Sequence, residues 1–438
     1  MIPARRTYAL LIGITAIALS LTAFTPPSAL GSARWLTLGI DGIIVALMLM
    51  DWLKVRSHAV VITRELAPKL SIGRDNPVTL TIKTDNHPST LQIRDRTPSS
   101  IPATPPQFDL TLPPYHTETL TYTVHPTQRG EYDWKAIDVR QRGAWGLAWH
   151  QWSIPLPQTT AVYPDLIGLR SLSIKLTLQS SGNIRRARRL GTGTEFAELR
   201  DYSTGDDPRF IDWNATARRG RPLIRVLEPE QEQTLIILLD RGRLMTAQVN
   251  GLARFDWGLN ATLALALAGL NRGDRVGVGV FDRTLHTWVP PERGQTHLST
   301  LIERLTPIQP VLLEPDYVNA VSQTTKQQTR RALVVIITDI VDKTASSELL
   351  TALGQLAPRY LPFCVTLRDP QVDAQAHTPT TEVESAYKRA VALDLLAQRQ
   401  LAFALLHQKS VLVLDAPAHL VSDQLVDRYL QLKARSQL

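Results

Sequence analysis

Residues 191–240 constrain this chain more than any other stretch. They read GTGTEFAELRDYSTGDDPRFIDWNATARRGRPLIRVLEPEQEQTLIILLD, dense in glycine, acid, arginine and tryptophan, and they close on six uncharged residues, 234–239, that end at Asp240. An uncharged run of that length, bounded by polar sequence, is the pattern of a strand buried on both faces of a parallel sheet. A polar surface element therefore leads straight into the edge of a buried sheet.

The C-terminal half of the chain repeats the apolar pattern. The runs VGVGVF, ALVVIIT, LPFCVTL and SVLVL alternate with stretches of helical period at 255–270, 297–305, 346–357, 382–406 and 418–434. Strand–helix alternation with apolar strands predicts a doubly wound α/β domain over 233–438, with helices on both faces of its sheet. The one cysteine, Cys364, sits inside an apolar run. It allows no internal disulfide and no cysteine-rich metal site, and reads as a small core residue.

The N-terminal end has a different character. Residues 7–24 carry no charge, and residues 35–53 are interrupted only by Asp41 and Asp51. As helices, each reaches about 27–30 Å, the thickness of a hydrocarbon layer. A short Pro/Gly turn joins them, so residues 1–57 read as a transmembrane hairpin. A cleaved signal peptide is the alternative for the first run. Arg5 and Arg6 precede the pair, Lys54, Arg56 and Arg64 follow it, and Arg34 alone lies in the turn. That asymmetry places both ends, and with them the bulk of the chain, on the cytoplasmic side of a plasma membrane. Asp41, six residues past Trp35, reads as an interfacial residue.

Residues 58–165 show short alternating runs separated by clusters of proline, asparagine, aspartate and glycine, the signature of an antiparallel β-sandwich. The stretch PSSIPATPPQ reads as a loop because proline cannot serve a central strand. Trp145, Trp149 and Trp152 read as core and rim packing of a strand pair. Residues 166–232 read as a linker together with the polar segment that leads into the sheet. The linker ends in Arg185, Arg186, Arg188 and Arg189. The whole is an α+β multidomain chain of 438 residues, 44% hydrophobic and 20% charged, which is ample for several cores.

The residues Gly191, Gly193, Glu195, Phe196, Leu199, Arg200, Tyr202, Gly205, Asp206, Asp207, Arg209, Ile211, Asp212, Trp213, Ala217, Arg218, Val226, Glu228 and Glu230 carry a resemblance. The chain resembles the family called domain of unknown function 58, described as MoxR-associated and von Willebrand A-like. The resemblance implies the von Willebrand A-like version of the doubly wound fold for 233–438. It also implies work alongside a MoxR-type AAA+ ATPase.

A fold of that type usually holds a divalent cation at the carboxyl ends of its strands, through Asp-x-Ser-x-Ser after the first strand, a threonine loop, and an aspartate after a central strand. Hard cations want such oxygen ligands. This chain keeps Asp240 and Asp339, with Asp342 close by. Gly242 and Leu244, however, stand where the serines would, and the loop Glu314-Pro315-Asp316-Tyr317 has no threonine. Arg241 and Arg243 lie beside Asp240, positioned to neutralise it. The site reads as degenerate, with Mg2+ disfavoured and no other cofactor expected. Gly191-Thr192-Gly193-Thr194 lacks the Lys-Ser/Thr of a phosphate-binding loop and reads as a turn.

Between Arg185 and Glu230 there are ten arginines and eight carboxylates. That near balance predicts an ordered charge network with Trp213 and Arg218 at its centre, and an ion pair within Asp206-Asp207-Pro208-Arg209. We read Glu195, Arg200, Asp206, Asp207, Arg209, Asp212, Trp213 and Arg218 as a docking face for another protein. The plainer reading is that they only fasten the segment to the sheet domain. The basic clusters and the sequence pI of about 9.6 suit membrane lipid. No nucleic-acid partner is expected, since no reader motif accompanies them. No catalytic motif is present. The expectation is a non-enzymatic, membrane-anchored adaptor or scaffold for assembling or remodelling protein complexes. Its rivals are a metal-dependent enzyme using the strand-end carboxylates and a structural envelope protein.

Overall fold

The structure is a computed structural model that describes residues 2–24, 30–56, 60–183, 195–228, 233–340, 347–357, 359–379 and 382–434. Arg185, Arg186, Arg188, Arg189, Gly191, Gly193, Glu230 and Asp342 lie outside the described residues. The fold mixes helices and several sheets, divided into two compact units, Met1–Tyr163 and Pro164–Leu438.

The first unit opens with a short strand, β1 (Ile2–Pro3), and two apolar helices, α1 (Arg5–Phe24) and α2 (Leu30–Arg56), that pack on each other. Among the described residues, Trp35–Arg56 is the helix long and apolar enough to cross a membrane. Nine strands come after the helices: β2 (Val60–Glu65), β3 (Lys69–Ser71), β4 (Asn76–Thr84), β5 (Ser89–Asp95), β6 (Ala103–Thr104), β7 (Phe108–Leu112), β8 (Thr117–Val124), β9 (Gly130–Arg142) and β10 (Ala148–Tyr163). They form two sheets, β1-β10-β9-β5-β7, with β3 also on β10, and β2-β4-β8-β6. The strict alternation of β4 and β5, buried at every second residue, supplies the shared core. β6 is a correction to the reading of PSSIPATPPQ as loop alone: Ala103 and Thr104 pair with the end of β8. That is an edge position, where the neighbouring prolines cost no ladder bond.

A buried ion pair ties the two sheets together. Arg64 on β2 donates Nε and Nη2 to Asp95 on β5 at 2.8 and 2.7 Å, and Tyr122 on β8 donates its hydroxyl to the same carboxylate at 2.6 Å. The guanidinium lies 5.3 Å from the Trp134 ring centre. A charge so enclosed is tolerable because its partners are all present.

The second unit begins with α3 (Leu166–Asn183), so most of the expected linker is a helix. Its leucines 169, 172 and 176 pack into the core of this unit. The alternation Leu172, Ile174, Leu176, Leu178 competes with that helical spacing and obscures it in the sequence. A small antiparallel pair comes next, β11 (Glu195–Asp201) and β12 (Leu223–Glu228), with α4 (Trp213–Arg219) between them.

The main sheet completes the unit. Its elements are β13 (Thr234–Asp240), the short hairpin β14 (Gln248–Val249) and β15 (Leu252–Ala253), α5 (Arg254–Asn271), β16 (Arg275–Phe281), β17 (Leu285–Glu292), α6 (Gln295–Leu305), α7 (Tyr317–Gln327), β18 (Leu333–Thr338), α8 (Ser347–Leu356), β19 (Leu361–Arg368), α9 (Pro370–His377), α10 (Val383–Gln408), β20 (Leu412–Pro417) and α11 (Val421–Ala434). Strand order is β17-β16-β13-β18-β19-β20, parallel except for the antiparallel edge strand β17. Leu235, Ile237 and Leu239 pack into one core with α5 and α11, while Ile236 and Leu238 pack into a second with α7 and α8. Helices therefore cover both faces, as the apolar strands require. α5 is apolar nearly all round and buried from Phe255 to Leu270 apart from half-exposed Trp257, which fits a helix sandwiched between a sheet and other helices. Apolar period does not announce α9, whereas α7 carries it in Tyr317, Ala320 and Val321; each also has a start signal, since Asp316 and Asp369 cap them through backbone N–H groups.

Candidate functional site

Chain order places the carboxyl ends of β13 and β18 at the switch point of the sheet, where the connections diverge to either side. Ligands of open α/β sheets gather at such places. Here the residues sit very close to one another. Asp240 ends β13 with no exposure at all. Its Oδ1 accepts from the Gly242 N–H at 2.7 Å, and its Oδ2 accepts from the hydroxyls of Thr338 at 2.7 Å and Tyr317 at 3.1 Å. Burial pushes its pKa up to about 6. The hydrogen bonds offset part of that rise, and the nearby Asp339 adds to it.

Arg241 and Arg243 do not neutralise Asp240, contrary to the expectation from their adjacency. Arg241 turns to Asp282 at the end of β16, 2.7 Å away, and Arg243 pairs with Glu314 on the surface. Adjacent side chains along an extended backbone point to opposite sides, and sequence spacing alone does not reveal which side is which. The cation over this end of the sheet comes from elsewhere. Arg254, the first residue of α5, meets Asp339 Oδ2 at 2.7 Å, and Arg399 in the middle of α10 meets Asp339 Oδ1 at 2.6 Å. Arg399 also reaches Asp415 within β20, 2.8 Å away. Two guanidinium groups thus occupy the carboxylate that a divalent cation would need. Neither arginine stands out in the sequence. Each lies on a different element from its partner, and only the topology brings them together.

Gly242 has its own reason to be glycine. A Cβ there would lie 2.8 Å from the Leu313 carbonyl oxygen and 3.0 Å from Asp240 Oδ1. The position where a serine ligand would stand has no room for a side chain. Asp240 and Asp339 are therefore a closed, internally satisfied pair of strand ends. Beside them, a cavity of about 370 Å³ opens between α9, α10 and β20, lined by Arg368, Asp373, Leu396, Arg399, Phe403 and Asp415. Its charges are matched, with Arg368 3.1 Å from Asp373.

The polar segment forms a separate cluster. Asp212 caps α4 through the N–H groups of Asn214 and Ala215 and accepts Arg225 Nε at 2.7 Å. Arg200 donates to Asp206 at 2.6 Å, Arg209 grips Asp207, and Arg221 reaches Asp201 at 2.9 Å. The arginine partners hold the carboxyls of Asp206, Asp207 and Asp212 below the usual range. The expected pair inside Asp206-Asp207-Pro208-Arg209 is present as Asp207–Arg209. α4 stops at Gly220, whose φ of 68° suits glycine.

The expected centre of the network is corrected. Trp213 is 70% exposed, and Arg218 is exposed as well. Neither forms a packed centre, because the pairs are short-range and lie along the surface of the β11–α4–β12 unit. Among the described residues, Arg218 and Arg219 have no ion-pair partner, while the aspartates are each taken by another arginine. Glu195 starts β11, opposite Glu228.

Residues 198–389 match the family model described as Protein of unknown function DUF58. The chain is 25% identical over 183 residues to the uncharacterized protein Rv1480 of Mycobacterium tuberculosis, covering 41% of this chain and 57% of that protein. It is 22% identical over 221 residues to the uncharacterized protein YeaD of Bacillus subtilis, covering 50% and 53% respectively. The chain thus spans a little over half the length of these curated relatives. Among solved structures, the conserved hypothetical protein BatB from Bacteroides thetaiotaomicron aligns with a TM-score of 0.31 at 14% identity, covering 46% of this chain and 99% of that one.

Proposed function

We propose, for a chain whose residues 198–389 carry the DUF58 family's domain, that it is a membrane-anchored, non-enzymatic adaptor whose docking face is the β11–α4–β12 unit. The observation that carries this reading is Trp213, 70% exposed on a helix whose Arg218 and Arg219 have no ion-pair partner among the described residues. A large exposed aromatic beside unbalanced positive charge is costly to leave in water and suits an acidic, partly apolar partner surface.

The partner implied by the resemblance is a MoxR-type AAA+ ATPase. The von Willebrand A-like version of the fold is part of the same reading. It is supported by a doubly wound sheet with Asp240 closing its first strand and Asp339 following a central one. The closed state of those carboxylates favours a role without metal chemistry. An apolar N-terminal helix favours anchorage, and we extend it to a two-helix hairpin in a plasma membrane with the bulk in the cytoplasm.

The test is affinity purification of the detergent-solubilised full chain with and without ATP, read by mass spectrometry. Nucleotide-dependent recovery of an AAA+ ATPase, lost with Trp213→Ala, supports the adaptor. Recovery that is unchanged by Trp213→Ala and by Arg218→Glu rejects this docking face. Recovery of envelope components alone rejects the ATPase partnership.

A further inference from the structure

Asp51 lies near the end of an apolar helix, yet it has no exposure. Its carboxylate fills the turn between β9 and β10. Oδ1 accepts from the Trp145 N–H at 3.0 Å, and Oδ2 accepts from the N–H groups of Leu147 and Ala148 at 2.9 and 3.2 Å. Successive N–H groups converging on one anion make a stable nest. The turn is shaped to it: a Cβ at Gly143 would lie 2.0 Å from the carboxylate. The start of the chain is fixed to the same turn. Ile2 and Pro3 pair with Trp149 and Ala148, and the Ala4 N–H donates to the Leu147 carbonyl at 2.9 Å. The first turn of α1, the last turn of α2 and the tip of the hairpin are thus one rigid assembly.

Its surface has a distinct chemistry. Lys54 Nζ lies 4.6 Å from the Trp145 ring centre, and Arg56 lies 5.5 Å from that of Trp52. Trp52 meets His150 edge-on, and His150 stacks on Trp152 at 4.9 Å. Residues 2–8, 50–56 and 142–152 contain five basic side chains, Arg5, Arg6, Lys54, Arg56 and Arg142, and one acid, the buried Asp51. On the far side of this collar, α1 and α2 expose Ile12, Leu19, Leu36 and Leu38. Aromatic and basic side chains in a band next to exposed apolar helix are what the boundary between hydrocarbon and headgroups selects.

We infer that this collar is a seat for anionic phospholipid headgroups, which fixes the tip of the sandwich against the membrane surface. The inference rests on the membrane-anchored reading. The phosphates meet Arg5, Arg6, Lys54 and Arg56, the rings of Trp145 and Trp52 lie at headgroup depth, and Asp51 holds the three segments in register from inside the collar.

The test uses the full chain reconstituted in vesicles of phosphatidylcholine alone or with phosphatidylglycerol, each doped with a headgroup-quencher lipid. Cys364 is buried, so a fluorophore on Ala144→Cys, an exposed site beside Trp145, reports alone. A second probe on Gln128→Cys, at the opposite end of β9, lies about 50 Å away along the strand. The expected result is quenching at 144 that is stronger with phosphatidylglycerol, and none at 128. Lys54→Gln and Arg56→Gln should each shift the ratio of seated to lifted collar by about fivefold. Chain that floats with the vesicles but shows equal quenching in both lipids, or none at 144, overturns the seat while leaving the anchor standing. Chain that does not float overturns the anchor and the seat together. Quenching at 144 that survives both substitutions shows burial by an apolar contact and overturns the headgroup assignment.

Discussion

Arg399 Nη1 lies 2.6 Å from Asp339 Oδ1, joining the middle of α10 to the carboxyl end of β18 across the sheet edge. Both side chains are nearly enclosed, and the same guanidinium holds Asp415 on β20. One side chain therefore clamps two strands.

Removing it takes the nearer guanidinium from Asp415, leaving Arg368 at 3.9 Å, while Asp339 keeps Arg254. Arg399→Met should destabilise the second unit by about 3 kcal/mol, the low end for breaking one side of a buried pair, because Arg254 still faces Asp339. Thermal unfolding checks this. A second substitution, Asp415→Asn, in the same chain should recover part of the loss, because the carboxylate that loses its nearer guanidinium is then neutral.

Asp240 predicts a pH dependence. Its folded pKa of about 6 stands above the ordinary carboxylate value of 3.8. An acid whose pKa is raised on folding carries no penalty at low pH, where it is protonated in both states. The folded state then loses stability as pH rises from about 4 through 6, by about 3 kcal/mol in all. Asp240→Asn should therefore change little at pH 3.5 and raise the melting temperature relative to the parent chain at pH 7.5. A difference between the two proteins that does not vary with pH would contradict the assignment.

Gly242→Ser restores the residue type of a cation site, yet the structure predicts no gain of metal. The new Cβ meets the Leu313 carbonyl at 2.8 Å, so the expected effect is a loss of about 1–3 kcal/mol from overpacking. Adding Mg2+ should leave the melting temperature of this variant where it was. An upward shift that grows with Mg2+ concentration would show that the site accepts a cation after all.

The surface substitutions separate stability from docking. Trp213 and Arg218 are exposed on α4. Trp213→Ala and Arg218→Glu should change unfolding by no more than about 0.5 kcal/mol. Any loss of partner recovery in these variants is then a loss of contact and not of fold.

The parallel sheet is legible in the sequence because its strands have no charge and its helices have period. Thr234–Asp240 and Leu333–Thr338 are buried at nearly every residue, as their composition demands. The Asp207–Arg209 pair is legible because it is local. The strand-end clamp is not, since Arg254 and Arg399 meet Asp339 only through the winding of the chain. The exposure of Trp213 is also hidden: a tryptophan among ion pairs reads as buried until the pairs prove to lie along a surface. Asp51 reads as an interruption of an apolar helix, yet its partners are backbone N–H groups in the turn before β10, far along the chain, which no side-chain pattern announces.

Docking through the β11–α4–β12 unit is tested most directly by a photoreactive residue in place of Trp213, with a control at the exposed Thr119 on β8. Both are irradiated in the full chain in membranes and read by mass spectrometry. The expected result is one dominant cross-linked protein at position 213, an AAA+ ATPase, and its absence at 119. Cross-links at 213 only to lipid or to this chain itself, with the ATPase captured elsewhere or not at all, would contradict it.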